Sequence, residues 1–402
     1  MGLVVQKYGG SSVRDAERVM NVASRIAEAY DAGNDVVVAV SAQGDTTDEL
    51  IEKAQEINAK ASKREMDMLL SSGEQISIAL LAMAVEKLGK PVISLTGWQA
   101  GISTDSKYSA ARIKTIRTER IQNELDKKRI VIVAGFQGIN KYEDITTLGR
   151  GGSDTSAVAL AAALGADVCE IYTDVDGVFT ADPRIVSTAY KLDDISYDEM
   201  LELASLGANV LHNRSVELAK KYHVKLAVKS SLNKVEGTYV KEVDQVEKML
   251  VRGVTRDNDC ARIALCGVED TPGKAFQVFS LLSKKGIAVD LIIQSIGNSG
   301  KKDISFTTSE SDLDETIKIL EENQSIIKAD DINWTKDVSK VSIVGAGMVN
   351  NAGVATTMFE ALYNAHININ MIATSEIKIS VLVDQKDAER AVVAIHDKFM
   401  LS

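Results

Sequence analysis

Over the first 245 or so residues, short apolar runs alternate with stretches whose apolar positions recur every three to four residues. The runs predict strands at 3–7, 35–41, 92–96, 130–134, 168–173 and 224–228, with amphipathic helices between them. Such alternation predicts an α/β domain over residues 1–231, a mostly parallel sheet sandwiched by helices. From 232 to 248 the pattern dissolves into Asn233, Glu236, Gly237 and mixed charges, which reads as a linker.

Beyond the linker the chain repeats itself. Gly273, Ala275, Phe279, Leu282, Ile287, Val289 and Ser295 recur as Gly353, Ala355, Phe359, Leu362, Ile367, Ile369 and Ser375, at a constant offset of 80. Each copy reads strand, helix, strand, strand, helix, the beginning of a βαββαβ unit with α+β character. The first copy has a fourth strand near 327–334; the second ends in its helix, 387–399, and lacks one. Residues 249–255 form an orphan strand ahead of both. An open sheet position and an unpaired strand satisfy each other's backbone groups, so the first module, 263–337, is expected to be inserted into the second, 249–262 with 338–402. The apolar edges predict pairing with another chain, hence a homo-oligomer.

The chemistry is concentrated in three loops. Lys7-Tyr8-Gly9-Gly10-Ser11-Ser12 follows the first strand and builds an anion cradle from backbone N–H groups and a lysine. The second loop, Thr146 to Ser156, runs Gly149-Arg150-Gly151-Gly152-Ser153-Asp154 straight into a small-residue helix, whose N-terminus favours an anion. Capping by Ser153 or Asp154 would need neither three glycines nor an arginine. The third, Thr173-Asp174-Val175-Asp176-Gly177-Val178-Phe179-Thr180-Ala181-Asp182-Pro183-Arg184, lies at the carboxyl end of a strand, where open α/β sheets bind ligands. P-loop spacing is absent, and Gly345-Ala346-Gly347 lacks the third glycine of a dinucleotide fingerprint. Two anion loops suit a phosphate moving between two partners.

These residues resemble aspartate kinases of the amino-acid kinase superfamily. The likeness rests on KYGGSS from Lys7, VSAQGDTTDEL from Val40, SSGEQISIALL from Ser71, SLTGWQAGI from Ser94, AGFQGI from Ala134, TTLGRGGSDTSA from Thr146 and YTDVDGVFTADPR from Tyr172. The repeated C-terminal units resemble ACT regulatory modules. The resemblance implies the amino-acid kinase fold with two C-terminal ACT domains. It also implies ATP-dependent phosphorylation of the β-carboxylate of L-aspartate, and feedback control by lysine, alone or with threonine. Mg²⁺ is expected to arrive with ATP, and no protein-held metal site is expected. Alternatives are a kinase of glutamate or N-acetylglutamate, against which the paired ACT modules argue, and a non-catalytic amino-acid sensor.

The β-carboxylate is ionised at neutral pH, so no general base is needed; two anions must be brought together and their charge neutralised. Lys7 is the expected residue at the transferring phosphoryl group, with Tyr8, Gly9 and Gly10 beside it, and the resemblance makes Asp154 the organiser of the lysines and phosphate. It assigns Arg150 to the substrate α-carboxylate, with Gly151 and Gly152, and Glu74 to the ammonium group, although Ser71-Ser72-Gly73-Glu74 also spells a capping box. Thr47, Ser41 and Ser153 are expected to add hydroxyl contacts to substrate or phosphate, Ser41 on the ATP side, Thr47 on the aspartate side and Ser153 on both. Thr173, Asp174, Phe179 and Arg184 match nucleotide-binding positions. One departure stands out: Asn209 occupies the place of a family lysine that contacts nucleotide phosphate, so that Arg184 or Lys229 compensates or ATP binds more weakly. An effector amino acid is expected where Asp270, Gly273 and Ala275 meet Gln294. Met249 is a candidate start for a separate ACT-only subunit.

Composition narrows the setting. The net charge of −11 argues against nucleic acid or an anionic membrane as partner. No leader precedes Leu3 and no apolar run approaches the ~20 residues of a membrane span, so a cytoplasmic location is expected. Cys169, Cys260 and Cys266 have neither CxxC spacing nor an even count and read as reduced thiols, and four scattered histidines make a zinc site improbable.

Overall fold

The computed structural model describes residues 2–207, 210–242, 251–295, 300–346, 348, 351 and 353–400. Two compact units divide the chain. The first comprises Met1–Phe179, Lys191–Ala204 and Asn209–Val246; the second comprises Thr180–Tyr190, Ser205–Ala208 and Glu247–Ser402.

The first unit is built on an eight-stranded sheet in the order Asp194–Ser196, Thr238–Lys241, Leu226–Ser230, Val168–Thr173, Leu3–Tyr8, Asp35–Val40, Ile130–Ala134, Val92–Leu95. Its neighbours run parallel except for Leu226–Ser230 against Thr238–Lys241. The central strands read as nearly unbroken apolar runs because helices cover both faces. Val36, Val38, Val40, Ile130 and Ile132 pack with Val22 and Ile26 of helix Ala16–Asp31 and with Ile78, Leu81 and Val85 of helix Lys63–Lys87.

Two expectations are corrected here. The stretch read as a linker, 232–248, contains the strand Thr238–Lys241, which buries Thr238 and Val240 on alternate positions inside the main sheet; four residues are too few for that period to stand out among charges. Helix Lys63–Lys87 is long and apolar enough, by length and composition alone, to cross a membrane. Its inward stripe includes Leu70, Ile78, Leu81 and Val85 but also Asp67, Ser71, Glu74 and Ser77, so its apolar content serves this unit's core.

A smaller sheet, in the order Ile113–Ile116, Ile102–Thr104, Gln137–Ile139, Ile145–Thr147, was not expected from the sequence. It ends at Thr147, within the second glycine loop and five residues before helix Gly152–Leu164 begins.

The second unit holds two four-stranded antiparallel sheets. One runs Gly253–Asp257, Val338–Val344, Lys378–Asp384, Met371–Thr374, with helices Val354–Asn364 and Ala388–Met400. The other runs Ile292–Gln294, Lys301–Thr308, Ala261–Glu269, Asp331–Thr335, with helices Lys274–Lys284 and Leu313–Glu322. Strand Gly253–Asp257 pairs antiparallel with Val338–Val344, so one sheet is assembled from chain on either side of the other. The excursion Thr180–Tyr190 also belongs to this unit. Ala181 and Val186 lie in a core with Val341, Ile343, Val392 and Ile395, and the Thr180 carbonyl accepts from the Val254 N–H at 2.7 Å.

Candidate active site

Lys7 owes its position to the pleat of the first strand. Gln6 and Tyr8 are buried on one face, and Lys7 points to the other, where its Nζ lies 2.7 Å from Asp154 Oδ1 on the glycine-led helix. Both side chains retain only 12–13% exposure, so the pair is desolvated but reachable. Gly10 permits a close backbone approach: a Cβ there would sit 2.7 Å from the Ala42 carbonyl oxygen. The Ser41 N–H donates to the Tyr8 carbonyl and the Gly44 N–H to the Gly10 carbonyl, fastening the 41–44 loop onto the cradle.

Glu74 approaches that same loop. It is 3% exposed; its Oε1 accepts from the Ala42 N–H at 3.1 Å, and its buried Oε2 has no hydrogen-bond partner among the described residues. Burial pushes its carboxyl up from 4.5 to about 7, against the lowering effect of the Ala42 N–H. A buried carboxylate with an unused oxygen is suited to a cation. The capping-box alternative is excluded, because the helix starts at Lys63 with Ser62 as its cap and Glu74 lies in its interior. Thr47 is half-buried in the first turn of helix Thr46–Asn58, and Thr46 Cγ2 would lie 3.6 Å from a Cβ on Gly73.

The second glycine loop is tightly built. Gly149 and Gly151 adopt φ of +79° and +67°, and a Cβ on Gly151 would fall 2.1 Å from the His212 ring. Arg150 is exposed and forms no ion pair among the described residues. Ser153 and Asp154 are buried in the first turn of helix Gly152–Leu164.

In the third loop Thr173 Oγ1 donates to Asp174 Oδ1 at 3.1 Å, while the Thr173 carbonyl accepts from the Ser231 N–H at 2.7 Å. Phe179 bridges to Lys191, closing the loop at the point where the chain leaves this unit. Arg184 lies in the excursion assigned to the second unit, where its guanidinium holds Asp182 at 2.7 Å. Lys229 is engaged by Glu170 at 2.5 Å. Asn209 and Met249 lie outside the described residues.

Of the expected effector residues, Asp270, Gly273, Ala275 and Gln294 are all exposed in the second unit. Gly273 caps helix Lys274–Lys284 with φ of +93°, and Asp270 Oδ1 lies 2.8 Å from Lys302 Nζ. An effector's ammonium would therefore share Asp270 with a lysine. Sequence reasoning missed Asp67, Arg214 and the His212 ring, whose places in the site arise from residues distant in the chain.

A parallel sheet carrying glycine loops and a lysine–aspartate pair, in one chain with two antiparallel α+β sheets, defines a small-molecule phosphotransferase with regulatory modules. The amino acid kinase family model matches residues 2–230, and an ACT domain model matches 263–324 and 341–399. The aspartokinase of Bacillus sp. (strain MGA3) is 51% identical over all of this chain and 98% of its own length, and aspartokinase 2 of Bacillus subtilis is 49% identical over the same shares. The crystal structure of E. coli aspartokinase III with aspartate and ADP, in the R-state, aligns with a TM-score of 0.83 at 25% identity, covering 100% of each chain. The same enzyme with lysine and aspartate, in the T-state, gives 0.78 at 25% identity over 99% of each. The chain belongs to the amino acid kinase family and, within it, to the aspartokinases.

Proposed function

We propose that this enzyme transfers the γ-phosphoryl group of ATP to a β-carboxylate oxygen of L-aspartate. The bond from the γ-phosphorus to the bridging oxygen breaks, a carboxylate oxygen bonds to that phosphorus, and ADP and 4-phospho-L-aspartate leave. The product is the activated acid from which lysine, threonine and methionine biosynthesis starts. The observation that carries this reading is the Lys7–Asp154 pair, 2.7 Å apart where a central strand meets the N-terminus of a buried helix. Lys7 neutralises charge on the phosphoryl group and Asp154 holds the lysine in place without taking a proton.

Glu74 takes the substrate ammonium and Arg150 its α-carboxylate, with Thr47, Gly151, Gly152 and Ser153 completing the shell and Ser41 on the nucleotide side. Gly9, Gly10, Thr173, Asp174 and Phe179 attend the nucleotide. Mg²⁺ comes bound to ATP and screens its phosphates. Lysine, backbone N–H groups and single carboxylates suit a metal that keeps its phosphate and water ligands, and among the described residues no cluster of three His, Cys, Asp or Glu is placed to hold one. Lysine, alone or with threonine, acts through the ACT modules near Asp270, Gly273, Ala275 and Gln294. The modules assemble copies of the chain, and the enzyme works in the cytoplasm.

A coupled assay of ADP release tests this, with L-aspartate, glutamate and N-acetylglutamate offered in turn and lysine and threonine added to the best substrate. Turnover with aspartate above the others is expected. No aspartate-dependent turnover overturns the reading.

A further inference from the structure

Arg150 needs a fixed place if it is to grip one end of a small amino acid, yet it sits on a loop of glycines. That loop is held from two sides. Asp67, fully buried on helix Lys63–Lys87, accepts from the Thr147 N–H at 2.9 Å and from Thr147 Oγ1 at 2.8 Å. The same carboxylate accepts from the Ser109 N–H at 2.9 and 3.1 Å and from Ser109 Oγ at 3.3 Å. It forms no ion pair among the described residues, so five hydrogen bonds replace its water. Ser109 is held at φ +64°, a conformation that a non-glycine residue keeps only when its surroundings enforce it. The Ser109 carbonyl in turn lies 3.0 Å from where a Cβ on Gly149 would be.

From the other side Arg214 donates to the Leu148 carbonyl at 3.0 Å and to the Ala111 carbonyl at 2.9 Å, and the Ala111 N–H donates to the Thr147 carbonyl. Thr147 and Leu148 are therefore each held by a separate hydrogen bond, Gly149 and Gly151 are packed too closely for a Cβ, and Arg150 projects into solvent.

We infer that Asp67 and Arg214 are positioning residues that hold Arg150 at a set distance from Glu74 and so fix the length of amino acid the enzyme accepts. Asp67 and Glu74 stand seven residues apart on the buried stripe of one helix, two turns that keep them on one face. One rigid element thus carries the group for the ammonium and the anchor for the group that takes the carboxylate. This inference rests on the roles given above to Glu74 and Arg150.

A double-mutant cycle tests it. Asp67→Asn keeps the volume but turns a donor toward N–H groups that need an acceptor. It is expected to raise KM for aspartate by about tenfold or more while KM for ATP stays within about twofold. Because Asp67 acts through Arg150, adding Asp67→Asn to Arg150→Ala should change KM for aspartate by less than about twofold. A full additional tenfold overturns the inference alone. An Arg150→Ala enzyme with unaltered KM for aspartate overturns the underlying reading of Arg150 as well. Should Asp67→Asn fail to fold, Arg214→Ala decides: millimolar guanidinium is expected to restore KM for aspartate, and a defect indifferent to guanidinium that falls equally on ATP refutes the proposal.

Discussion

Glu74 offers the sharpest test, because its ionisation and its proposed ligand are linked. Raising a carboxyl from 4.5 to about 7 places a penalty of about 3 kcal/mol on the charged form in the empty site. Bound aspartate brings an ammonium group that favours the charged form, so binding at acid pH must release a proton. If only ionised Glu74 binds, apparent affinity scales with the ionised fraction. KM for aspartate should then be about tenfold higher at pH 6 than at pH 8, and nearly flat above pH 8. Aspartate's own carboxylates titrate far below this window, and KM for ATP measured alongside corrects for nucleotide ionisation. Glu74→Gln should raise KM at pH 8 and abolish the slope. Calorimetry at pH 6 in two buffers of different ionisation enthalpy should count close to one proton released per aspartate bound. A flat KM between pH 6 and 8 in the wild type, or an unchanged slope in Glu74→Gln, would refute the argument.

Lys7→Ala and Asp154→Ala should each lower kcat by ~10² or more, the expected loss for one electrostatic stabiliser, and near-normal turnover would remove them from the chemistry. His396 is fully buried with Nε2 2.9 Å from Thr180 Oγ1, and burial holds its pKa below 6.5. The unfolded chain therefore takes up the proton first, so this group's contribution falls as pH drops below about 6.5, at up to about 1.4 kcal/mol per pH unit, until the folded value is passed. Urea titrations should show that difference between wild type and His396→Gln, and parallel pH curves would refute it. Asn209→Lys should lower KM for ATP in steady-state kinetics, and an unchanged KM would mean that another cation already serves the phosphates.

The long strands of the main sheet were legible because each is an apolar run of four to six residues with helical periodicity on either side. The small sheet was not. Its strands Ile102–Thr104 and Gln137–Ile139 have three residues each, too few to show a period of two, and they pair through tertiary packing. The loops announced themselves by glycine, since a φ of +67° at Gly151 or the close approach of Gly10 to Ala42 leaves composition no other choice. Asp67 left no such mark: a single aspartate on an amphipathic helix looks solvated until the fold brings Ser109 and Thr147 onto it. The membership of Thr180–Tyr190 in the second unit was equally silent, because Ala181 and Val186 find their core only with residues more than 60 positions away.

The first strand also bears on Lys229, one of the two cations named as a substitute for the missing lysine. On the face opposite Lys7, Tyr8 stacks on Tyr172 with centroids 4.6 Å apart, and Gln6 Nε2 donates to Glu170 Oε2 at 2.9 Å. Tyr172 also donates to Glu170 Oε2, and Lys229 neutralises the other oxygen at 2.5 Å. Withdrawing Lys229 toward a phosphate would strand a mostly buried carboxylate inside this network, a loss of several kcal/mol that a single phosphate contact does not offset. Backbone pairing of the strand on both sides sets the alternation that puts Lys7 on the face opposite this network. Lys229 is therefore engaged beside the strand that carries Lys7, whereas Arg184 holds Asp182 at the surface with most of its side chain exposed, a pair that opens at little cost. Compensation by Lys229 is therefore the outcome these ion pairs disfavour, and KM for ATP in Asn209→Lys decides whether any other cation fills the place.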